Sequence, residues 1–317
     1  MKAAVVQSAG QAPVYAEFPD PDPASGQDRI RVRAAAISQL ARARASGKHY
    51  SAAATYPFVA GVDGAGVLDN GQRVYFAFPE APYGAFAELV PMRPDQYVPI
   101  PDAVDDVTAA AIVNPGISGW MALKERAAFQ PGETVLINGA TGSSGSFAVQ
   151  IARRFGAGRI IATGRNAEVL RELKSRGVDE TISLAAGDAE QAAAFEATFA
   201  RGIDIVLDYL WGPPARQILA ASARCSDPAR ALRFVQIGAM AGAEISLPAA
   251  WLRSRANVLM GSGLGSVAPD RIMASMRDLL ISAGDEPYRL DVETAALTDI
   301  TDVWGRDSGN RRVVLTP

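Results

Sequence analysis

The chain has one cysteine, Cys225, and one histidine, His49, in 317 residues. A single cysteine cannot close an internal disulfide, and one cysteine with one histidine cannot assemble a cysteine-rich zinc site. Cys225 carries no expected role. Long apolar runs are also missing: no stretch approaches the roughly 20 residues that a membrane-crossing helix needs. Neither sign of charge is in large excess. The net charge of −3 offers no basic field to nucleic acid or to an anionic membrane. The opening run Met1-Lys2-Ala3-Ala4-Val5-Val6 reaches polar Gln7 and Ser8 too early for a signal peptide, so a soluble cytoplasmic protein is expected. What is present is material for a core. Hydrophobic residues make up 49% and charged residues of both signs 21%, a balance that argues against disorder. The length suits two ordinary domains or one very large one.

The first third reads as short strands and turns. Ile30-Arg31-Val32-Arg33-Ala34 alternates as a half-buried strand would. The glycine-dense run Gly61–Leu68 leads through the turn Asp69-Asn70-Gly71 to a return strand over Gly71–Phe76, and Ala85–Val90 reads as another strand. From Thr134 the rhythm changes. Strand-like runs over Thr134–Asn138, Arg159–Thr163, Glu180–Ser183, Ile203–Asp208, Arg233–Ile237 and Asn257–Met260 alternate with alanine-, leucine- and arginine-rich helical spacings. That alternation predicts a parallel sheet covered by helices on both faces. The tail Arg311–Leu315 is a last strand outside that rhythm and is expected to pair with the first domain.

Ala140-Thr141-Gly142-Ser143-Ser144-Gly145 follows the first of these strands. It matches a dinucleotide-binding fingerprint with alanine in the first glycine position. Gly142 admits a pyrophosphate close to the backbone, and Gly145 lets the next helix pack against its strand. Ala148, Ile151, Ala152 and Phe155 form the buried stripe of that helix. Its N-terminus presents unpaired N–H groups and a partial positive charge to phosphate, and Ser143 and Ser144 add hydroxyls. The second strand ends in Gly164-Arg165-Asn166, where an NAD enzyme places an acid for the ribose hydroxyls. An acid repels a 2′-phosphate, whereas Arg165 can pair with one, so NADPH is the expected cofactor. The missing acid also argues against a methyltransferase. Ligands in such sheets sit at the carboxyl ends of strands. That nominates Tyr209 and Leu210, Gly238 and Ala239, and Gly261, Ser262 and Gly263 as further cofactor contacts.

Asn138–Gly145 resembles the cofactor loop of the medium-chain dehydrogenases/reductases, and more narrowly their zinc-independent quinone oxidoreductase (zeta-crystallin-like) branch. Gly61-Val62-Asp63-Gly64-Ala65-Gly66-Val67, Gly71-Gln72-Arg73-Val74 and Gly84-Ala85-Phe86-Ala87-Glu88 carry the likeness over nearly the whole chain. The resemblance implies an α/β protein with two domains. A GroES-like β-rich catalytic domain covers residues 1–115 and 285–317, and a Rossmann doubly wound parallel six-stranded sheet covers residues 116–284. It also implies an active site in the cleft between them, a junction near Asn114–Trp120, and a homodimer joined along the last Rossmann strand. Ser38 and Val62 stand where zinc-dependent relatives carry a ligand cysteine and a ligand histidine, so no metal is expected. Ser38 and Ala41 replace the Asn and Asp usual in the quinone reductase branch.

Without a metal to polarise an alcohol, hydride transfer from NADPH to an activated acceptor remains feasible. A quinone or an α,β-unsaturated carbonyl qualifies, because its oxygen takes up the charge. The chain then needs positioning, exclusion of water and a hydrogen-bond donor. The candidate catalytic donors are Tyr50, Ser38 and Tyr56; His49, a sole histidine in a loop, is the weaker candidate. Two other readings stay open at this level: a non-catalytic NADPH-binding protein of the sensor or crystallin kind, and an alcohol dehydrogenase using an unrecognised metal.

Overall fold

The computed structural model describes residues 1–22, 26–47, 55–225, 230–306 and 311–317. The expectations placed on His49 and Tyr50 lie outside the described residues. The chain divides into two compact units, Met1–Asn114 with Asp270–Pro317, and Pro115–Pro269.

In the first unit β1 (Lys2–Val6) pairs antiparallel with β2 (Val14–Glu17). β3 (Asp28–Ala36) buries Ile30, Val32 and Ala34 and exposes Arg29, Arg31 and Arg33, the period of two that a one-sided sheet imposes. The short helix α1 (Gln39–Ala45) follows, and β4 (Phe58–Val59) pairs with β1 to complete a three-stranded sheet. Next come β5 (Asp63–Leu68), β6 (Arg73–Ala77), β7 (Leu89–Met92) and β8 (Tyr97–Pro99). Helix α2 (Asp106–Met121) carries Pro115 in its interior, and the division between the units falls there.

The second unit builds strand and helix in turn: β9 (Thr134–Asn138), α3 (Ser143–Arg154), β10 (Arg159–Gly164), α4 (Ala167–Ser175), β11 (Glu180–Ser183), α5 (Asp188–Ala200), β12 (Ile205–Asp208), α6 (Gly212–Arg224), β13 (Leu232–Gln236), α7 (Ala249–Arg253) and β14 (Asn257–Gly261). All pairings in this sheet are parallel. The spatial order is β11-β10-β9-β12-β13-β14, which is the 3-2-1-4-5-6 order of a dinucleotide-binding sheet. The reversal of winding falls between β9 and β12. The core is apolar, with Leu136, Ile161, Phe195, Val206, Ile218 and Phe234 in one buried cluster. β12 starts two residues later than its apolar run suggests. Just before it, the Asp204 carboxylate accepts the Thr134 N–H at 2.8 Å.

The chain then returns to the first unit through α8 (Pro269–Asp285), β15 (Val292–Ala296), α9 (Ile300–Trp304) and β16 (Arg312–Thr316). β16 pairs antiparallel with β3 and parallel with β15, which closes a seven-stranded sheet. Helix α8 falls with the first unit, and near its end a methyl group on Gly284 would lie 3.7 Å from both Ala103 and Pro101. One expectation needs correction. The strand expected over Ala85–Val90 lies at Leu89–Met92. Residues 85–88 instead divide their hydrogen bonds among three segments: Phe86 and Ala85 N–H to the Ala60 and Gly61 carbonyls, Ala4 N–H to the Phe86 carbonyl with Glu88 N–H to the Lys2 carbonyl, and Val32 N–H to the Glu88 carbonyl. Among the described residues no helix is long and apolar enough to cross a membrane.

Candidate functional site

The expected cofactor residues gather at the carboxyl edge of the second unit's sheet. Ala140, Thr141 and Gly142 form the turn between β9 and α3, and Ser143 and Ser144 open the helix. Ala140 is fully buried and its N–H donates to the Thr163 carbonyl at 2.8 Å. Gly142 is the N-cap of α3, and no side chain caps that terminus. The first helical bond runs from Ser146 N–H to the Gly142 carbonyl, so the N–H groups of Ser143, Ser144 and Gly145 point out of the helix end without helical partners. An uncapped terminus of a 12-residue helix fits a phosphate. At the end of β10, Gly164 is held by contact, since a Cβ there would fall 2.2 Å from Thr141 Cγ2. Arg165 is exposed and makes no hydrogen bond or ion pair among the described residues. Asn166 is the N-cap of α4, its Oδ1 accepting from Glu168 N–H at 3.0 Å and Val169 N–H at 3.2 Å.

Tyr209 and Leu210 follow β12. The Tyr209 ring is buried and its hydroxyl meets the Ser118 hydroxyl at 3.3 Å; burial pushes that phenol well up. Tyr209 is therefore engaged inside the unit. Gly238 packs against the Tyr209 carbonyl, and Ala239 is exposed. At the end of β14, Gly261, its last residue, and Gly263 are exposed. The Gly261 carbonyl accepts from Arg126 Nε at 2.9 Å, and Gly263 N–H donates to Ser266 Oγ at 2.7 Å. Ser262 between them is buried, and its hydroxyl has no hydrogen-bond partner among the described residues. A buried hydroxyl without a partner at the ligand end of a sheet is the kind of group that a bound molecule satisfies.

One network at this edge escaped the sequence reading. Asn138, Thr163 and Asp208 are completely buried at the ends of β9, β10 and β12. Thr163 Oγ1 donates to Asn138 Oδ1 at 2.7 Å, and Asn138 Nδ2 donates to Asp208 Oδ1, also at 2.7 Å. Burial raises the Asp208 carboxyl against the lowering effect of its hydrogen bonds. The signal was present in the sequence: each of these three apolar strands turns polar at its last or next-to-last residue.

In the first unit, Ser38 is the N-cap of α1. It is buried, and its Oγ accepts the Ala41 N–H at 2.9 Å, which leaves its own O–H free to donate. Tyr56 is half-buried, with its ring 5.3 Å from that of Phe58. Beyond these two lies a buried polar cluster. Asp63 accepts from the Tyr75 hydroxyl at 2.6 Å and from Asn114 Nδ2 at 3.0 Å, and Arg312 Nη2 reaches Asn114 Oδ1 at 3.5 Å. Burial pushes the Asp63 carboxyl up to about 6, and Tyr75, Arg312 and Asn114 hold it from rising further. Burial also lowers the Arg312 guanidinium, whose Nε has no hydrogen-bond partner among the described residues. Ile37 N–H donates to the Val313 carbonyl at 2.9 Å, which brings Ser38 to the end of the same ladder as Arg312. These positions do not fit a zinc ion. The Ser38 oxygen already serves as a helix cap, and Val62, buried in the apolar core, has no donor atom.

A protein-family description, "Zinc-binding dehydrogenase", matches residues 145–281. The "Probable NADPH-dependent quinone reductase tdiC" of Emericella nidulans is 29% identical over 363 aligned positions, covering 100% of both chains. The 2-haloacrylate reductase of a Burkholderia species is 28% identical and covers 78% of this chain and 81% of its own. Among solved structures, the quinone oxidoreductase of Thermus thermophilus, also solved in complex with NADPH, matches with a TM-score of 0.80 at 25% identity over 100% of both chains. A mycobacterial quinone oxidoreductase matches with a TM-score of 0.85 at 22% identity. The six-stranded sheet with its glycine loop, the β-rich first unit and these likenesses together support the medium-chain dehydrogenase/reductase superfamily. Within it they support the quinone oxidoreductase branch.

Proposed function

We propose that the chain is a zinc-independent, NADPH-dependent oxidoreductase that reduces a quinone or an α,β-unsaturated carbonyl compound. The uncapped N-terminus of α3 beside an exposed, unpaired Arg165 carries this reading. The N–H groups of Ser143, Ser144 and Gly145 would hold the pyrophosphate, with the Ala140–Gly142 turn passing beneath it. Arg165 would pair with the 2′-phosphate, and the Ser262 hydroxyl would accept or donate at the ligand end of β14. A reduced nicotinamide supplies a hydride, so the chain's own task is to hold and shield the reactants. Ser38, with its O–H unspent, is the donor the described residues offer to an acceptor's carbonyl oxygen, and Tyr56 is a second candidate. The same reading has two copies pairing along β14, the edge strand of the six-stranded sheet, where Val258 is 46% exposed, in the cytoplasm.

The direct test is NADPH oxidation with simple quinones and enones, before and after chelation, with metal content measured on the same sample. Turnover that survives chelation, in protein free of zinc, is expected. Tight NADPH binding with no turnover on any acceptor would instead leave a binding protein, and activity lost on chelation would restore a metal. Cofactor choice has its own test. Arg165→Asp removes a charge-assisted contact and adds a repulsive one, so the NADPH-over-NADH preference in kcat/KM is expected to fall by about tenfold or more. An unchanged preference would remove the reason for choosing the phosphorylated form.

A further inference from the structure

We propose that Thr163, Asn138 and Asp208 act as one positioning set that holds two backbone turns in the shape that receives the dinucleotide. The inference rests on the reading that this edge of the sheet binds NADPH. The three residues are neighbours by register, Asn138 facing Thr163 on one side and Asp208 on the other. All three are fully buried, each directly after a run of three apolar residues in its strand.

The direction of the relay is fixed by its ends. Gly139 N–H donates to Thr163 Oγ1 at 3.1 Å, so the threonine hydroxyl sends its own proton to Asn138 Oδ1 at 2.7 Å. The Asn138 amide then presents Nδ2 to Asp208. The opposite amide orientation would set its oxygen against the carboxylate. Asp208 Oδ1 also accepts from Leu210 N–H and Trp211 N–H, both at 3.1 Å. The outputs of the chain are therefore backbone groups: Gly139 at the head of the cofactor loop, and residues 210–211 after β12.

Both turns are conformationally demanding. Gly139 has φ +92°, and Trp211, which is not a glycine, has φ 54° and ψ −156°. Backbone of this kind persists only where its surroundings over-determine it, and it concentrates at ligand sites. The two turns also touch: a Cβ on Gly139 would lie 3.0 Å from the Leu210 side chain. The Leu210 carbonyl in turn accepts from Ala241 N–H at 2.7 Å. One polar chain thus sets the ends of β9, β10 and β12 and, through Leu210, the segment after β13. An apolar trio would fill the same space, but it would leave the Gly139, Leu210 and Trp211 N–H groups without these acceptors.

The test is Thr163→Val, which keeps the shape and removes the hydroxyl, with Thr163→Ser as the conservative variant. NADPH dissociation constants, KM and kcat with a quinone, and melting temperatures are measured for wild type and both variants. In Thr163→Val the Kd and KM for NADPH are expected to rise about tenfold, with kcat changed much less. Thr163→Ser is expected to return both to within about twofold of wild type. A folded Thr163→Val protein that binds NADPH as wild type does would overturn the proposal, even if its melting temperature fell. Should Thr163→Val not fold, Asp208→Asn decides in the same way. It preserves the side-chain outline but weakens the acceptor for three N–H groups, so an unchanged Kd there rejects the positioning role. Wild-type protein that binds neither pyridine nucleotide overturns the cofactor reading and this inference with it; wild-type binding with unaffected variants overturns this inference alone.

Discussion

Gly145→Ala is expected to lower stability by about 3 kcal/mol, with a fall in melting temperature of roughly 6–12 °C and a loss of NADPH binding. In an exposed helix this change would stabilise, since alanine is favoured over glycine by about 1 kcal/mol. Here packing reverses the sign. The added Cβ would lie 2.2 Å from the Gly139 carbonyl oxygen and 2.7 Å from Ala140 Cα. Both are backbone atoms, so no side chain can swing aside; the start of α3 must lift away from the loop and carry the N–H donors with it. Gly142→Ala is the informative partner. A Cβ at Gly142 meets nothing closer than the Gly139 carbonyl oxygen at 3.7 Å, and its φ of −90° suits any residue. Stability should therefore change by less than about 1 kcal/mol, the cost of alanine at an N-cap. Binding should still weaken, because the new methyl group occupies the approach to the uncapped N–H groups. Thermal melts and NADPH titrations on the two variants separate the roles. A Gly142→Ala protein with undiminished NADPH affinity would show that the loop does not face the pyrophosphate.

The second unit was legible in the sequence because its signals are local. Each parallel strand is a short apolar run, each helix follows at once, and the fingerprint sits between the first pair. β9 and β11 fall on their expected residues, and the parallel sheet follows from the alternation. The first unit was less legible because long-range contacts settle it. Residues 85–88 look like a strand in composition, yet their hydrogen bonds are shared among three segments, residues 2–4, residue 32 and residues 60–61. Helix α8 continues the helical rhythm of the second unit, and only long-range contacts group it with the first. The site divides in the same way. Glycines and an arginine in a loop announce a ligand by type and spacing. Asn138, Thr163 and Asp208 lie in separate strands, and only the sheet register makes them one group. Ser38 and Asn166 are helix caps in the structure, a role their residue types favour and one that competes with any ligand for the same oxygen.

Arg312→Met is expected to cost about 3–5 kcal/mol at neutral pH, because it leaves a buried carboxylate with no cation beside it. The pH dependence identifies the cause. The Asp63 carboxyl titrates at about 6 in the folded chain and near 3.9 when unfolded. The folded state therefore holds the proton more tightly, and between those two values the unfolded chain ionises first. Stability from this group is greatest below about pH 4 and falls as pH rises toward 6, by about 3 kcal/mol in all. Asp63→Asn should flatten the curve across that window, since the amide does not titrate. Arg312→Met should extend the decline above pH 6, since the carboxylate loses the positive neighbour that favours its ionised form. The double variant should recover much of the loss seen in Arg312→Met, because removing both charges leaves neither one buried alone. Urea midpoints at pH 5 and pH 7 for the four proteins supply the measurement. If Asp63→Asn kept the wild-type difference between the two pH values, the decline would belong to another group. If the double variant were as unstable as the sum of the singles, Asp63 and Arg312 would not be coupled. A coupled pair means that the charge on Asp63, beside the end of β3 where Ser38 begins, is maintained by the last strand of the chain.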